Sequence, residues 1–407
     1  MPGDASDSAL TAYLVGGAVR DRLLGLPVQD RDWVVVGSTS DELQARGFQR
    51  VGRDFPVFLH PQTSEQYALA RAQRGGLPSP EVTLEQDLTG RDLTINAMAE
   101  HADGTLVDPT GGRADLEARL LRHVGPAFAD DPIRVLRVAR FAARLAPQGF
   151  TVAPETMAYM SDLVEQGGLD RLTPERQWHE LSAALVTTAP RRFLEVLRDC
   201  GALAKVFPEI DALFGVPQPI QHHPEVDTGL HTLLVLDQAT ALSDDPRVRF
   251  AALVHDLGKA RTPVEELPRH IAHDRRGLAP IRELCERLRA PVDYRELALA
   301  VCREHLLIHR VQELRPKTVL SLLERLDAFR RPSRVEDVVL ACRADCRGRP
   351  GREDDPYPRG NLLLTFQRAA AEVGVEDLLE AGKSGPAVGD ELRRRRIRAI
   401  ARLRSPP

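Results

Sequence analysis

The sequence lacks several features that would place it in a special class of proteins. Its 407 residues contain no run of about 18 apolar residues, the length that a transmembrane helix needs. The opening MPGDASDSALTA has neither the basic nor the apolar part of a secretory signal. Cysteine is scarce, with five residues, and only Cys342 and Cys346 lie close together, too few for a zinc site. We therefore predict a protein of the reducing cytoplasm that does not enter a membrane.

The length and the net charge further restrict the classes of protein to which the chain could belong. A chain of 407 residues is too long for one compact core and predicts about two to four domains. The net charge of -4 argues against a protein that coats nucleic acid nonspecifically, although a local basic face is compatible with it. The C-terminal run ELRRRRIRAIARLRSPP carries seven arginines and one glutamate. Such a run is either a solvated helix face or a candidate phosphate-contacting surface.

The spacing of apolar residues changes along the chain. Short strand-like runs, including DWVVVG and EQYALAR, alternate with helical candidates over about the first 110 residues. From Asp131 onward apolar residues recur at helical spacing, as in IRVLRVARFAARL and RRFLEVLRDCG. We find no internal repeats. The pattern predicts an α+β protein with an N-terminal mixed-sheet domain followed by all-helical domains.

The segment YLVGGAVRDRLLGLPVQDRDWVVVGS places two aspartates beside an apolar strand. Residues two apart on a strand point to the same side, so Asp30 and Asp32 would present both carboxylates to one point. Two oxygen ligands of this kind suit Mg²⁺, which completes its shell with water and substrate phosphates. Gly16 and Gly17 form a predicted strand-to-helix turn whose backbone N–H groups can approach a triphosphate, and Arg20 follows one helical turn later.

These parts together favour metal-assisted nucleotidyl transfer. In that chemistry one ion activates the attacking hydroxyl, another stabilises the leaving pyrophosphate, and both neutralise charge in the transition state. The alternative is a surface turn in which the Asp-X-Asp spacing is incidental. The glycines and Arg20 at this spacing weigh against that alternative.

Two further segments carry polar residues that suit nucleotide binding. RDLTINAMA holds Arg91, Asp92 and Asn96 close together, where an arginine and an asparagine could hold a phosphate and a ribose. DDPIRVLRVARFAARL begins a long predicted helix, with two aspartates at its start and arginines every third residue on one face: Asp130, Asp131, Arg134, Arg137 and Arg140. A neighbouring aspartate and arginine also have the donors and acceptors to recognise the edge of a base. A solvated basic helix face is the alternative.

A second group of candidate residues lies further along the chain. GLHTLLVL and ALVHDLGKARTP supply His231 and the adjacent pair His255 and Asp256. Imidazole and carboxylate together form a ligand set for divalent transition metals. This arrangement resembles the HD phosphohydrolase superfamily, in which a later aspartate usually completes the set, and Asp345 is the candidate here. Further imidazoles lie on predicted helices and, taken singly, are more typical of packed or surface histidines: His270, His273, His305 and His309.

From about Ala12 to the C-terminus the chain resembles the bacterial tRNA nucleotidyltransferases that build or repair the 3′-terminal CCA, in the multifunctional form with a fused HD domain. The motifs that carry the resemblance are YLVGGAVRDRLLG, DRDWVVVG, GRDLTINA and DPIRVLRVARFAARL. The resemblance implies a polymerase-β-like head in which Asp30 and Asp32 hold Mg²⁺. It implies that Asp131 and Arg134 form the amino-acid template that selects C and then A. It also implies nucleotide contacts, to ATP or CTP, from Gly17, Arg20, Arg91, Arg137 and Arg140.

The resemblance also supplies partners, domains and a second activity. It implies tRNA, CTP and ATP as partners and 2′,3′-cyclic phosphodiesterase, 2′-nucleotidase and phosphatase activities for the HD domain, often with Ni²⁺. The HD ligand set would be His231, His255, Asp256 and Asp345. We expect a monomer or a homodimer. The predicted divisions are a head (1–125), a helical neck (126–206), a linker (207–227), an HD domain (228–329) and a C-terminal helical tail (330–407).

Three alternatives remain open at this point. The loop at 72–80, AQRGGLPSP, is shorter than in close relatives. In this family that loop helps the pocket to change from CTP to ATP, and enzymes that add only CC have it shortened. A CC-adding enzyme is therefore the first alternative. An RNA-binding protein with an inactive head is the second, and the intact Asp30 and Asp32 weigh against it. A related poly(A) polymerase is the third, and the HD domain weighs against it.

Overall fold

The computed structural model describes residues 10–28, 30–51, 56–72, 78–380, 382 and 384–404. The chain forms two compact units. The first comprises Met1–Leu172 with Arg192–Ala202, and the second comprises Thr173–Arg191 with Leu203–Pro407. Within the described ranges, no helix combines the length and the apolar character needed to cross a bilayer.

The first unit contains a seven-stranded mixed sheet in the order β3-β4-β5-β2-β1-β6-β7. Strands β2 and β5 are parallel, and every other neighbouring pair is antiparallel. A separate parallel pair is formed by β8 and β9. The strands are β1 (Ala12–Val15), β2 (Asp32–Val35), β3 (Gln49–Val51), β4 (Val57–Leu59), β5 (Gln66–Leu69), β6 (Ala99–Glu100), β7 (Leu106–Val107), β8 (Leu120–Leu121) and β9 (Thr151–Val152).

The run WVVV lacks the alternation of apolar and polar residues because β2 is covered on both faces. Val34 packs in one apolar cluster with Val15 and Leu88, whereas Val35 packs in another with Leu43 and Phe58. Successive residues of a strand point to opposite faces, so two consecutive valines can each enter a different core. The central position of β2 fixes the place of Asp32, which pairs with Val15 of β1 on one side and Gln66 of β5 on the other.

Helices surround this sheet and extend the first unit. Thr39 and Thr83 cap the helices that follow them, each in a capping box with Glu42 or Gln86. The α-helices are α1 (Gly17–Leu23), α2 (Ser40–Ala45), α3 (Leu84–Thr89), α4 (Gly112–Ala118), α5 (Ile133–Leu145), α6 (Pro154–Glu165) and α8 (Arg191–Asp199), with α7 in the second unit. Short 3-10 helices span Thr94–Asn96, Pro126–Asp130, Ala146–Gln148 and Gly168–Arg171.

The second unit is helical. The helix that carries His231 begins after Asp227, whose carboxylate accepts a hydrogen bond from the Leu230 backbone N–H at 2.8 Å. The α-helices are α7 (Pro174–Leu185), α9 (Ala202–Val206), α10 (Pro208–Asp211), α11 (Thr228–Leu242), α12 (Pro246–Val254), α13 (His273–Arg276), α14 (Leu278–Arg287), α15 (Val292–His309), α16 (Pro316–Arg325), α17 (Ser333–Arg347), α18 (Pro358–Ala371), α19 (Glu376–Glu380) and α20 (Pro386–Arg402). Short 3-10 helices span Leu257–Arg261 and Val264–Glu266. Helices α11, α12, α15 and α17 pack against one another. The predicted α+β fold class is confirmed.

The arginine-rich C-terminal run forms α20, and most of its guanidinium groups bind the second unit itself. Arg393 pairs with Glu324 at 2.9 Å and Arg395 with Asp377 at 2.6 Å. Arg396 stacks over the Phe329 ring at 3.7 Å from its centroid. These contacts hold the helix against its neighbours, whereas Arg394, Arg398 and Arg402 are exposed. The solvated face and the phosphate-contacting surface therefore both stay predictions.

Candidate functional sites

A cavity of about 450 Å³ opens in the first unit beside the sheet. Its wall is strongly basic, with seven arginines and three aspartates among the lining residues. The arginines are Arg20, Arg71, Arg91, Arg134, Arg137, Arg140 and Arg144, and the aspartates are Asp32, Asp87 and Asp92. A cavity of this size and excess positive charge suits a polyanionic ligand the size of a nucleotide.

Asp32 and Asp30 take different positions relative to this cavity. Asp32 is the first residue of β2 and lines the cavity. Asp32 is exposed to solvent, but partial desolvation by the protein around it raises its pKa, with a smaller opposing effect from Arg91 and a further upward effect from Asp30. Asp30 is exposed, precedes the strand by two residues and is not among the lining residues. Only Asp32 therefore lies on the strand. Asp30 precedes it, so the alternation of side chains along a strand does not place the two carboxylates on one side, as the sequence pattern assumed.

The predicted turn between strand and helix is present. Gly16 separates β1 from α1 and has a φ of 66°, which glycine adopts without strain. A Cβ at Gly16 would lie 3.1 Å from Nη1 of Arg91, so the absence of a side chain lets that guanidinium approach the turn. Gly17 begins α1 and lines the cavity with Gly16.

Asn96 links the arginines on two sides of the cavity. Its Oδ1 accepts a hydrogen bond from Nη1 of Arg20 at 2.6 Å, and its Nδ2 donates to Oδ1 of Asp92 at 3.2 Å. The other oxygen of Asp92 accepts from Nε of Arg137 at 2.7 Å. Burial opposes ionisation of Asp92, but the charge and bonds of Arg137 and Asn96 hold its pKa below the usual range. Asp92 and Asn96 therefore orient arginines. Asn96 also lines the cavity, and its contact with a ribose or phosphate stays a prediction.

The arginines of α5 line the cavity on one face, as their spacing predicted. Arg137 and Arg140 lie over the Phe141 ring, at 5.7 and 4.8 Å from its centroid. Arg134 is buried and donates to the backbone carbonyls of Ala127 at 2.8 Å and of Arg91 at 3.2 Å. Asp131 is buried before the helix and is not among the lining residues; its Oδ1 accepts from the Ile133 N–H at 3.4 Å.

Four charged residues of this site were missed from the sequence: Asp21, Arg71, Asp87 and Arg144. Asp87 accepts hydrogen bonds from Arg91 at 3.0 Å and from the backbone N–H of Arg71 at 3.2 Å. The Asp21 carboxylate accepts hydrogen bonds from Nε of Arg20 and Nη2 of Arg144, each at 2.8 Å. The spacing of four residues between Asp87 and Arg91 on a helical pattern was the one available signal. Asp21 and Arg144 are far apart in sequence, and no local pattern connects them.

A second cluster of polar residues is buried in the second unit. His231 lies on α11, His255 and Asp256 directly follow α12, and Asp345 lies on α17. All four are almost fully buried. The structure brings together these four predicted residues. Nε2 of His231 lies 3.2 Å from Oδ1 of Asp345, and Nε2 of His255 lies 3.2 Å from Oδ2 of Asp256 and 3.8 Å from Oδ1 of Asp345.

Backbone carbonyls orient the two imidazoles. Nδ1 of His231 lies 2.9 Å from the Gly348 oxygen, and Nδ1 of His255 lies 2.7 Å from the Ala252 oxygen. A carbonyl only accepts, so each Nδ1 carries a hydrogen, and Nε2 is the ring nitrogen that faces the carboxylates and could ligate a cation. Burial opposes ionisation, but nearby cationic groups, His309 foremost for Asp345, keep the pKa of that carboxylate well below its usual range.

The same cluster contains atoms that lack hydrogen bonds. Nε2 of His255 and Oδ1 of Asp256 are buried and have no hydrogen-bond partner among the described residues. Buried polar atoms without partners are costly unless a cation or water satisfies them. Imidazole nitrogen and carboxylate oxygen are donors for a divalent transition metal, so the residues present fit such an ion.

Segment 207–227, predicted as a linker, supplies residues to this cluster. Oε1 of Glu225 lies 3.0 Å from Nδ1 of His231 and 2.8 Å from Nδ1 of His223. The Glu225 side chain is 3% exposed. Gln218 also accepts a hydrogen bond from Lys259 at 2.5 Å. These residues were missed because a proline-rich stretch carries no helical or strand periodicity that could have placed them.

Replacement of Glu225 by alanine is expected to weaken binding of a transition-metal ion by about 10- to 100-fold, because a carboxylate behind a ligating imidazole fixes its orientation and raises its basicity. Glu225→Gln, which keeps an acceptor oxygen, should recover part of the affinity. Isothermal titration with Ni²⁺ measures the effect. Glu266→Ala is the matched control, since Glu266 pairs with Arg276 instead. Equal affinity in Glu225→Ala and the control would contradict this positioning role.

Family models match three parts of the chain. The model described as the poly A polymerase head domain matches residues 12–122. The model described as the probable RNA and SrmB-binding site of polymerase A matches residues 149–214, and the HD domain model matches residues 228–345. Asp345 is the last residue of the HD match, although the predicted HD domain ended at 329. The domain boundaries given from the sequence stay a prediction.

Several curated relatives match this chain over nearly its whole length and at high sequence identity. The multifunctional CCA protein of Methylococcus capsulatus is 59% identical over 406 residues, covering 97% of this chain and 96% of the relative. That of Nitrosococcus oceani is 58% identical over 400 residues, covering 96% and 98%. That of Pseudomonas fluorescens is 55% identical over 404 residues, covering 97% and 99%.

Solved structures share the fold at lower identity. The Thermotoga maritima CCA-adding enzyme complexed with tRNA has a TM-score of 0.66 at 20% identity, covering 96% of this chain and 87% of the other. The Bacillus stearothermophilus CCA-adding enzyme in complex with CTP has a TM-score of 0.64 at 24% identity, covering 96% and 89%. The near full-length identity to the curated relatives decides the assignment: the chain is an enzyme of the multifunctional CCA protein family, a nucleotidyltransferase with an HD domain.

Proposed function

We propose that the first unit adds CMP and AMP, from CTP and ATP, to the 3′ end of tRNA until the terminal CCA is complete. The names of the relatives and the complexes with tRNA and CTP formed by similar structures support this substrate set. The observation that carries the proposal is the cavity in which seven arginines converge beside Asp32. An excess of four positive charges over the three aspartates matches the charge of a nucleoside triphosphate.

Asp30 and Asp32 would hold Mg²⁺ at the edge of this cavity. Carboxylate oxygens are the ligands that Mg²⁺ prefers, and the exposure of both residues leaves room for water and phosphate oxygens. A bound ion in such a site lowers the pKa of the attacking hydroxyl and stabilises charge on the leaving pyrophosphate. The chain's own contribution is to bind and orient the triphosphate through the arginines of α5 and the turn at Gly16 and Gly17.

Asp131 and Arg134 would select the incoming base. Nη1 of Arg134 donates to the carbonyls of both Ala127 and Arg91, which ties its guanidinium to the segments before α5 and after α3. A base edge that accepts hydrogen bonds would compete with these carbonyls for the guanidinium. Such an exchange would let Arg134 take more than one position, which suits recognition of C and then of A.

The second unit would hydrolyse phosphate esters with a divalent transition metal ion held by His231, His255, Asp256 and Asp345. Ni²⁺ is the candidate ion, and 2′,3′-cyclic phosphates, 2′-phosphates and phosphomonoesters are the candidate substrates. The Nε2 atoms of His231 and His255, each 3.2 Å from a buried carboxylate oxygen, support this assignment. A cytoplasmic location and a monomeric or homodimeric state remain predictions from the sequence.

Complete CCA synthesis is proposed in preference to CC addition. The short loop at 72–80 motivated the CC alternative, and its residues 73–77 lie outside the described residues. Relatives between 54% and 59% identical over nearly the whole chain are named CCA proteins. Neither an inactive head nor a poly(A) polymerase accounts for relatives of that name at this coverage.

The proposal is tested by incubating the purified enzyme with tRNA that lacks CCA, with CTP alone, ATP alone or both, and sequencing the 3′ ends. CTP alone is expected to give CC ends, and both nucleotides together CCA ends. Arrest at CC in the presence of ATP would support the CC-adding alternative. Unmodified ends, or runs of A, would contradict tRNA nucleotidyl transfer.

Replacing Asp92 by asparagine is expected to raise KM for CTP by about tenfold, because Arg137 then loses a charge-assisted bond and keeps a neutral one, a difference of about 1.4 kcal/mol. Steady-state kinetics of CTP addition at saturating tRNA measures the change. Asp103→Asn is the matched control, since the Asp103 side chain is 63% exposed and pairs with His101. An unchanged KM in Asp92→Asn would mean that Asp92 does not position a nucleotide-binding arginine.

A further inference from the structure

Three of the arginines that line the cavity gather around one aromatic ring, that of Phe141 on α5. The guanidinium carbon of Arg140 lies 4.8 Å from the ring centroid, that of Arg20 lies 5.2 Å away and that of Arg137 lies 5.7 Å away. Arg20 approaches the ring from α1, whereas the other two arginines belong to α5 itself. The Phe141 side chain is buried and lines the same cavity. One ring therefore contacts guanidinium groups from two separate helices.

The surroundings of these arginines make an electron-rich neighbour favourable. The face of an aromatic ring carries partial negative charge and attracts cations, most strongly where water is excluded. Arg20 is only 1% exposed, and burial lowers its pKa because it opposes the charged form. Like charges that line one cavity also repel one another. A ring beside the three arginines offsets part of both costs.

The ring differs from the acidic neighbours of the same arginines in what it does to their charge. Asp21 accepts from Nε of Arg20 at 2.8 Å, and Asp92 accepts from Nε of Arg137 at 2.7 Å. Each carboxylate orients an arginine but subtracts one positive charge from the cavity. An aromatic face attracts a guanidinium without neutralising it, so the positive charge stays available to a polyanion.

We propose that Phe141 is a positioning residue for nucleotide addition, whose ring face holds the guanidinium groups of Arg20, Arg137 and Arg140 at the spacing that binds the triphosphate. The inference rests on the proposed function of the first unit and extends it to a residue without any hydrogen-bonding side-chain group. Phe141 acts through the arginines and therefore affects the phosphates of the nucleotide rather than its base or ribose.

Graded fluorination of the ring tests this role in the full chain. Each fluorine withdraws electron density from the ring face and changes the shape of the side chain very little. Mono-, di- and trifluorinated phenylalanine at position 141, introduced by nonsense suppression, are expected to raise KM for CTP in successive steps, by about tenfold with three fluorines. A loss of triphosphate binding that is equal in the ground state and the transition state leaves kcat nearly unchanged.

The same series at Phe58 is the matched control. Phe58 is also buried in the first unit, but it packs in the apolar cluster with Val35 and Leu43. Fluorination of Phe58 should leave KM for CTP at the parental value. Phe141→Leu keeps an apolar side chain and removes the aromatic face, so it should raise KM for CTP at least as far as the trifluorinated ring does.

Inorganic pyrophosphate separates an effect on the phosphates from an effect on the base. Because it carries phosphate groups alone, its inhibition constant should rise along the Phe141 series in parallel with KM for CTP. A rise in KM with an unchanged inhibition constant would place the ring against the base or ribose and contradict the inference. An unchanged KM throughout the series would show that Phe141 only fills space and would also overturn it. An unmodified enzyme that adds no CMP to tRNA would instead contradict the proposed function.

Discussion

Asp30→Ala and Asp32→Ala are each expected to lower the rate of CTP addition to tRNA by about 10³-fold or more, since an ion that stabilises transition-state charge contributes several kcal/mol. Asp32 lines the basic cavity, and Asp30 is close enough to raise its pKa. Single-turnover addition of labelled CTP to tRNA without CCA measures the loss. The effect should appear in the rate constant more than in tRNA binding, because neither carboxylate attracts a polyanion.

The specificity of this loss is checked in the same preparations. Hydrolysis of 2′,3′-cyclic AMP should stay at the parental rate, because the two aspartates lie in the first unit and the histidine cluster in the second. Asp41→Ala, an exposed aspartate on α2, provides a charge-matched control with unchanged addition. Near-normal addition by either site variant would mean that this pair of carboxylates does not hold the catalytic ion.

His255→Ala combined with Asp256→Ala is expected to reduce metal-dependent hydrolysis of 2′,3′-cyclic AMP by at least about 10³-fold and to leave CTP addition unchanged. Both residues are almost fully buried at the end of α12 and direct ligand atoms into the cluster. Their removal takes away an imidazole and a carboxylate that would help to hold the ion. Hydrolysis is measured across Ni²⁺, Co²⁺ and Mn²⁺ concentrations, so that a weakened affinity and a lost rate can be separated.

A variant of a different histidine serves as the control for this experiment. His222→Ala removes an exposed imidazole near His223 and should keep both activities. Parallel loss of CTP addition and hydrolysis in His255→Ala/Asp256→Ala, with unchanged circular dichroism, would contradict the assignment of the two activities to separate sites.

Much of the first unit could be predicted because its signals are local. The glycine pair, the valine run of β2 and the arginine spacing of α5 each lie within one short segment, and the structure has the turn, the strand and the helix face that they indicated. The partners of those residues were not predictable. Arg20 binds Asn96 across 76 residues and Asp92 binds Arg137 across 45, and periodicity within a segment cannot pair such distant side chains.

The second unit shows the same limit at a buried polar site. His255 and Asp256 were found because they are adjacent, whereas His273 and His305 could not be separated from packed histidines of other helices. The sequence does not show which way the ring of a helical histidine faces, because that depends on the hydrogen-bond partner of its Nδ1. In His273 and His305 those partners are backbone carbonyls. Glu225 lies in a proline-rich segment whose path depends on its packing against α11 rather than on its own periodicity.

A single damaged substrate tests whether one chain carries two independent active sites. A tRNA that ends before CCA in a 2′,3′-cyclic phosphate must be hydrolysed at its end before CTP can be added. Water first opens the ring to a 2′-phosphate, and a second water releases inorganic phosphate and leaves the 3′-hydroxyl free to attack. The 3′ ends are sequenced after incubation with CTP, ATP, Mg²⁺ and Ni²⁺.

The wild-type enzyme is expected to convert this tRNA to complete CCA ends. Asp30→Ala/Asp32→Ala should yield a free 3′-hydroxyl without addition, and His255→Ala/Asp256→Ala should leave the cyclic phosphate unchanged. An equimolar mixture of the two variants should restore CCA ends, because each supplies the site that the other lacks. Complete repair by either variant alone, or failure of the mixture when each variant still performs its own reaction on a simple substrate, would contradict two independent sites.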